Sequence, residues 1–543
     1  MNKSKTVVKQ AGILALAGII VRIIGVLYRS PLTRMIGDLG NGYYSTAYNV
    51  YAMILLLSSY SIPTAISKLI SEKIALEEYG NARKIFKCAL IYISVIGAVV
   101  AIITFIAAPF ALSAKGASMT LQVLCPTIFF SGLVGVMRGY FQAHNTTKYT
   151  SISQIVEQLL NAIVSVGAAY LFIKGFGANG SEVTKASLGS AGSALGTGAG
   201  VLIALIYLVF KYFKDHGDFA ESKNVNEHER ISTTKEIFKS ILTIVTPIII
   251  ATCVYNLVTI IDMSLYYAIM NIRGLGHEAA TSLYGVYAGK YTVLMNVPVA
   301  LASAMSTASI PAISSSYALN NLHDVRANIE NSISVAMLVI IPCAVGLAVL
   351  SYPIMGVLFP QKATLALAAT TLTIGSCATI FYGLSTISNG ILQAISHPNI
   401  PLKNAAVALV THLIILAGLL FFIPNNKLHE FSLYSLAIGS ALYALQMCIT
   451  NQRALVKLVH FKYKWKRIFI LPLIAAIIMG VVAYGSYTVI FMFTHRVLIP
   501  LVIAIGLAII VYFVVILYLY KDHPDTIYNI PYMDKIANRF YKK

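Results

Sequence analysis

Residues 131–143 read SGLVGVMRGYFQA, and residues 382–394 read YGLSTISNGILQA. Gly132 matches Gly383, Gly139 matches Gly390, Gln142 matches Gln393 and Ala143 matches Ala394, all at one offset. A second pair, Ser61-Ile62-Pro63 and Ser309-Ile310-Pro311, recurs at nearly the same offset. Two separate matches at almost one spacing point to an internal duplication. Both copies of the first motif lie in strongly apolar surroundings, so the duplicated unit has to be read together with the hydropathy of the whole chain.

The chain has 543 residues, 58% of them hydrophobic and only 11% charged, with a mean hydropathy of +0.77. Apolar runs of about 20 residues, the length that spans a bilayer as a helix, recur from end to end. The alternating segments of about ten residues that build a membrane barrel are absent. We therefore expect an all-α polytopic membrane protein with 14 transmembrane helices, near 10–30, 43–66, 85–112, 118–138, 151–173, 187–210, 240–269, 283–306, 331–358, 364–394, 402–423, 432–452, 468–492 and 498–520. The first run carries an arginine and lacks a small-residue cleavage site, so we expect it to remain as a span and not to be removed as a signal peptide.

The formal net charge is +20, but its distribution argues against nucleic acid. With both termini on one side, that side holds most of the lysines and arginines, including Lys3, Lys5, Lys9, RKIFK at 83–87 and KYKWKR at 462–467. The other side holds few, such as Arg34, Lys115 and Arg496, and Arg22 and Lys290 fall well inside spans. Positive residues collect on the cytoplasmic side, which places both termini in the cytoplasm and makes the basic excess a topology signal and an attraction to anionic lipid.

Each copy of the repeat holds six spans, an even number, so both enter the membrane from the same side. The repeat is parallel, with its axis along the membrane normal. The expected division is an N-lobe at 1–213 (spans 1–6), a cytoplasmic inter-lobe linker at 214–239, a C-lobe at 240–458 (spans 7–12), spans 13–14 at 459–521 and a cytoplasmic tail at 522–543. Two such lobes enclose a central cleft, the usual arrangement for alternating access. Predicted outer loops such as IGDLGNG at 36–42 are too short to fold into a catalytic domain. The polar segment 211–239 contains an amphipathic stretch expected to lie on the membrane surface.

Charges inside spans mark candidate sites, because a charged side chain costs about 2.5–3.5 kcal/mol at a helix centre and usually faces a bundle interior or a water-filled cavity. Arg22 and Lys290 belong to different lobes, and two cations facing one cleft favour an anionic ligand. Alternatively, each pairs with an acid on another helix, Glu157 and Asp262 being the candidates within spans. Tyr44, Tyr48 and Tyr51 share one face of the second span, and Tyr284, Tyr287 and Tyr291 one face of the eighth. Such stripes stack on sugar rings and donate hydrogen bonds, though they also serve as interface belts or helix packing. The polar faces Gln154/Glu157/Gln158/Asn161 and Tyr255/Thr259/Asp262/Tyr266 read as interhelical glue, with Glu157 and Asp262 able to bind a cation or proton or to balance charge. Pro63 and Pro311 match between copies and are candidate hinges, alongside Pro247 and Pro298.

Nothing in the sequence carries catalysis: GxSxG, Walker A and HExxH motifs are absent, as are paired acids in an outer loop. We expect a protein that is not an enzyme, without cofactor or metal, driven by membrane potential or an ion gradient. The six cysteines are scattered, and His144, His397 and His412 are isolated, so neither set forms a metal site or a disulfide framework.

VRIIGVLYRSPLTRMIG (21–37), GYYSTAYNVYA (42–52), YFQAHNTTKYTSISQIVEQLLN (140–161), YAGKYTVLMNVPVALASAMSTASIPAIS (287–314) and LQAISHPNIPLKNA (392–405) together resemble the multidrug/oligosaccharidyl-lipid/polysaccharide exporter superfamily over nearly the whole chain. Within it the chain is most similar to the Gram-positive MurJ-type lipid II flippases and their sporulation relatives. The resemblance implies a cationic cavity whose arginines hold the pyrophosphate of a lipid carrier: Arg22 matches the first-helix arginine, Arg29 the next one along, and Lys290 stands where relatives have arginine. Lysine keeps the charge but loses the bidentate fork. Relatives carry a further arginine in the second helix, where this chain has none, and some bind sodium through acids on helices 7 and 11. Asp262 matches the first of these acids, whereas span 11 has none. Spans 13 and 14 are implied to form a groove for the polyprenyl tail.

The expected function is a monomeric flippase in the bacterial plasma membrane, moving a polyprenyl-pyrophosphate-linked oligosaccharide, lipid II first, from inner to outer leaflet. A flippase for a capsule, teichoic or sporulation precursor is the nearest alternative. A drug/cation antiporter needs an acid in its first helices, where this chain offers arginine. A membrane glycosyltransferase needs outer-loop acids, of which only Asp38 is available.

Overall fold

The computed structural model describes residues 2–56, 62–112, 114–144, 146–215 and 231–521, and among them every regular element is helical. The first helix, α1 (Asn2–Leu55), is two helices joined at Gly37, whose φ of 69° lies in the left-handed region that favours glycine. Asn41 donates to Thr33 Oγ1 at 2.9 Å across this joint, and both are buried. The segment IGDLGNG is therefore a one-residue break within α1 and not the outer loop expected between spans 1 and 2.

After residues 57–61, which lie outside those described, comes α2 (Ile62–Ala75), which carries Pro63. Then come α3 (Tyr79–Ala111), α4 (Lys115–Ala143), α5 (Thr147–Gly175) and α6 (Glu182–Asp215). Most of the surface-lying stretch expected in the linker falls at 216–230, outside the described residues. A capping box of Thr233 and Glu236 opens α7 (Thr234–Ile272). Next, α8 (His277–Val286) runs through a π-helical turn at Tyr287–Tyr291 into α9 (Thr292–Ala318). The chain continues as α10 (Leu322–Val349), α11 (Ser351–Leu358), α12 (Lys362–Ala394), α13 (Asn399–Phe421), α14 (Leu428–Val459), α15 (Leu471–Thr494) and α16 (Leu498–Leu519).

Eleven helical stretches among the described residues are long and apolar enough to cross a membrane, with a shorter apolar one at Asn256–Ile272. The polytopic all-helical architecture stands. The expected fourteen spans do not map one to one onto helices, because α1 continues from the first span into the second. Outward faces such as Ile102, Ile103, Ile106 and Phe110 are exposed, as lipid-facing positions are.

The chain divides into two compact units, Met1–Gly285 and Val286–Lys543. In the first, α7 packs on α1, α2 and α3. The duplicated motif does the same work in each unit. Gly139 on α4 comes so close to α2 that a Cβ would lie 2.7 Å from the Pro63 carbonyl oxygen, and at Gly390 on α12 it would lie 2.0 Å from Ser306 Oγ on α9. The matched glycines are sites of close helix crossing. Pro311 lies inside α9, and the residues just before Pro63, 57–61, lie outside those described.

At the turn between α2 and α3, Lys73 pairs with Glu78 at 2.7 Å, and Asn81 Nδ2 donates to the same carboxylate. Asn81 Oδ1 accepts the Ser232 backbone N–H at 2.7 Å, and Lys84 Nζ donates to the Ser232 carbonyl. The chain entering α7 is thereby tied to the start of α3. The hydrogen bond from Lys73 holds the Glu78 carboxyl below its ordinary value.

Candidate functional site

The first unit gathers a set of charged and aromatic groups inside its spans. On the first half of α1, Arg22 is exposed and Arg29 is half-buried. Arg29 is hydrogen-bonded to Tyr28, and its guanidinium carbon lies 5.9 Å from the centre of the Tyr44 ring, a cation–π distance. On the second half of α1, spacings of four and three residues put Tyr44, Tyr48 and Tyr51 on one face. Their rings run in sequence, Tyr44 stacked on Tyr48 at 5.7 Å and Tyr48 tilted on Tyr51 at 5.6 Å.

Burial separates their roles. Tyr44 and Tyr51 are buried, at 4% and 2% exposure, and their hydroxyls bond Thr197 on α6 at 3.2 Å and Ser131 on α4 at 3.4 Å. They fix α1 against its neighbours. Tyr48, 36% exposed, is the ring the stripe presents. The charged side chains acting on its hydroxyl are Arg29, Glu157 and Arg22, so these groups share one electrostatic neighbourhood.

Glu157 pairs with neither of the cations the sequence singles out. Its Oε2 accepts from Arg138 on α4 at 2.7 Å, and Arg138 Nε donates to Ser153 at 3.0 Å. Arg138 is the last residue of the expected span 4 and so reads as a cytoplasmic flanking charge, whereas α4 continues to Ala143. A usable signal was present, since Arg138 stands inside the duplicated motif, where its counterpart is the uncharged Asn389. Around Tyr48 the charged neighbours are thus two guanidinium groups, Arg29 and Arg22, and the Glu157 carboxylate, which a third guanidinium, Arg138, holds. The excess is positive, which suits an anion, and the exposed Tyr48 ring offers a stacking surface.

Asp262 is half-buried on α7 of the same unit. Of its expected face, Tyr266 is fully buried and donates to the Ala280 carbonyl at 3.1 Å, and the side chain of Tyr255 lies outside those described. A cavity of about 340 Å³ opens on the side of α1 opposite the tyrosine stripe, lined by Thr46, Val50, Met263, Tyr267, His277 and Thr281 among others. Tyr284 is drawn to this side. It packs on Tyr266 and Tyr267 and accepts a hydrogen bond from Asn49 at 2.9 Å.

In the second unit, Lys290 sits in the π-helical turn with 0% exposure, and its Nζ donates to Thr364 Oγ1 at 2.9 Å in the first turn of α12. The water-lined position expected for it is not what this state presents. Tyr287 packs on Tyr291 at 5.3 Å. Tyr291 is fully buried, with its hydroxyl bonded to the Gly375 carbonyl at 3.3 Å and Met295 sulfur at 3.1 Å, so it acts here as a packing residue. No cluster of three or more His, Cys, Asp or Glu suited to a metal ion occurs among the described residues.

An all-helical, multi-pass protein with a cationic, tyrosine-lined site inside its spans is by class a membrane transporter. Comparison with known proteins agrees. Residues 7–317 match the family described as polysaccharide biosynthesis protein, and residues 247–417 match the family described as MatE. The chain is 26% identical to the lipid II flippase MurJ of Bacillus subtilis over 492 residues, 86% of each chain. It is equally identical, at 26%, to the membrane protein YabM of that organism over 72% of this chain and 70% of the other. Stage V sporulation protein B, also from Bacillus subtilis, is 26% identical over 62% and 63%. A solved structure of lipid II flippase MurJ in an inward closed conformation matches with a TM-score of 0.67 at 16% identity, covering 94% of this chain and 99% of that one. An inward-facing MATE multidrug transporter matches at 0.62 and 13% identity, covering 82% and 99%. The chain belongs to the polysaccharide biosynthesis protein family.

Proposed function

We propose that this protein is a flippase that moves a polyprenyl-pyrophosphate-linked oligosaccharide from the inner to the outer leaflet of a bacterial plasma membrane, with lipid II as the first candidate cargo. The observation that carries this reading is the grouping of Arg22, Arg29 and Glu157 around the exposed Tyr48, with Arg138 bonded to that Glu157. Arginine forks recognise phosphate bidentately, and an aromatic face suits a sugar ring. Arg22 and Arg29 take the pyrophosphate, Tyr48 takes the first sugar, and Tyr44 and Tyr51 hold the helix that presents it. Lys290, Tyr287 and Tyr291 contribute when the second unit changes state.

Binding of the anion lowers repulsion among the cations, stabilising a closed state more than an open one. A ligand shifts a conformational equilibrium only through such differential affinity. An interior-negative potential favours outward movement of an anion by about 2.3 kcal/mol per charge per 100 mV, so potential alone supplies a direction. The protein acts as a monomer, with both termini in the cytoplasm and without cofactor.

A second reading, a flippase for another lipid-linked glycan, has support of its own. Stage V sporulation protein B of Bacillus subtilis is as identical to this chain as MurJ, and the probable low-salt glycan biosynthesis flippase Agl15 of Haloferax volcanii is 24% identical over 41% of this chain. Conditional depletion, followed by identification of the lipid-linked precursor that accumulates on the inner leaflet, tests the function and chooses between the cargoes. Accumulation of none would refute both.

A further inference from the structure

We propose that Arg138 is a third anion-binding residue of the site, kept in reserve by Glu157, whose carboxylate occupies the place that a phosphate-bearing group takes when it binds. The proposal rests on the anion-site reading above and deepens it.

The geometry is that of a held fork. Glu157 Oε2 takes one terminal nitrogen of Arg138 at 2.7 Å, and Ser153 takes Nε at 3.0 Å. The two side chains remain 16% and 30% exposed. The pair is thus reachable by a solute, and a carboxylate is the protein's own imitation of a phosphate oxygen pair. Glu157 also acts electrostatically on Tyr48 and Tyr51, which places the pair at the edge of the tyrosine stripe.

The second copy makes the equivalent link without a charge. By the alignment of the two motifs, Arg138 corresponds to Asn389, and at the same offset Ser153 corresponds to Asn404. In the second unit these amides meet through Asn451, which accepts from Asn404 at 2.8 Å and donates to Asn389 at 2.7 Å. Both units keep a polar link between the equivalent helices, α4 with α5 and α12 with α13. Only the first makes it from a cation and an acid, although an uncharged amide serves the packing role. The charged version therefore has a use beyond packing. An incoming dianion competes with a single carboxylate for the fork. As Glu157 is released, it leaves a fuller positive set around the ligand.

The test uses the full-length protein in detergent micelles, with farnesyl pyrophosphate and inorganic pyrophosphate as probes and affinity read by calorimetry. Glu157→Gln keeps a hydrogen-bonding side chain but removes the competing charge. It is expected to tighten binding about tenfold, the change that ~1.4 kcal/mol represents. Arg138→Gln is expected to weaken binding about tenfold, Arg138→Lys to fall between, and the double variant to match Arg138→Gln. Thermal midpoints confirm that each variant is folded. Loss of the Glu157 charge alone tightens binding of an anion electrostatically, so the discriminating result is the double variant: a gain in Glu157→Gln that vanishes when Arg138→Gln is added runs through Arg138, and one that persists contradicts the proposal. Tightening for both probes identifies free phosphate chemistry as sufficient, and tightening for the prenylated probe alone assigns the site to the lipid carrier. If Glu157→Gln and Arg138→Gln leave affinity unchanged while Arg29→Ala abolishes it, the inference fails and the proposed function stands. If Arg29→Ala is also without effect, or the wild type binds neither probe, both fail.

Discussion

The Arg29 guanidinium carbon stands 5.9 Å from the centre of the Tyr44 ring, and the same ring is stacked on Tyr48 and tied by its hydroxyl to Thr197. One tyrosine therefore links a cation of the site to the presented ring and to α6. Tyr44→Leu should lose the cation–π contribution, about 0.5–2 kcal/mol, and weaken farnesyl pyrophosphate binding accordingly. Tyr44→Phe keeps the ring and loses only the Thr197 bond, so its affinity should stay close to wild type. Equal losses in the two variants would show that the hydroxyl, not the ring, is what matters.

A Cβ at Gly42 would sit 2.0 Å from the Thr281 carbonyl oxygen, so α1 and α8 meet there backbone to backbone. Gly42→Ala must push the two helices apart, at a cost of about 1–3 kcal/mol for overpacking, visible as a lower thermal midpoint of the purified protein. Gly18→Ala on the same helix meets nothing within 4 Å and should be neutral or stabilising by up to about 1 kcal/mol. Matching midpoints for the two would mean that the crossing is not tight.

Glu330 on α10 accepts from Arg467 at 3.1 Å and pairs with Lys464 at 2.8 Å, with Glu330 and Arg467 only 14% and 17% exposed. Glu330→Ala removes a carboxylate partner from the largely buried Arg467 and should cost about 1–3 kcal/mol. Lys464, at 62% exposure, is a surface partner, and Lys464→Ala should cost at most about 1 kcal/mol. Denaturation of the two variants side by side checks the ranking.

The Glu78 carboxyl is held below its ordinary value of 4.5 by the Lys73 hydrogen bond. A depressed carboxylate adds stability above its unfolded value and loses it as pH falls through the folded value. The bracket joining Asn81 to Ser232 should therefore loosen only below pH 4.5. Protection of the Ser232 amide against hydrogen exchange, corrected for intrinsic rate, should drop there in the wild type. Glu78→Gln should lack that acid-dependent step. An unchanged profile in Glu78→Gln would remove Glu78 from the bracket.

Much of this architecture was legible in the sequence because membrane spans declare themselves by length and composition. The duplicated SGLVGVMRGYFQA motif also marks helix crossings that the two units make alike. The break at Gly37 was misplaced as a loop, since a single left-handed glycine re-aims a helix without a polar linker. In the site, the tyrosine spacing on α1 told which side chains share a face, but not that two of them are buried and bonded. Arg138 was hidden because a cation one or two turns from a helix end looks like a flanking charge. Only the neighbouring helix shows that it turns inward to Glu157. Lys290 announced itself by position, while its contact with Thr364 depends on a π-helical turn that no spacing rule predicts.

The central claim is that the cations of the first unit hold the phosphate of a lipid-linked glycan during its passage. The most direct measurement is outer-leaflet exposure of lipid-linked precursor in cells whose growth depends on this protein, comparing the wild type with an Arg22→Ala/Arg29→Ala variant at equal membrane abundance. The account predicts loss of exposure, with the precursor collecting on the inner leaflet. Normal growth with unchanged exposure would contradict it.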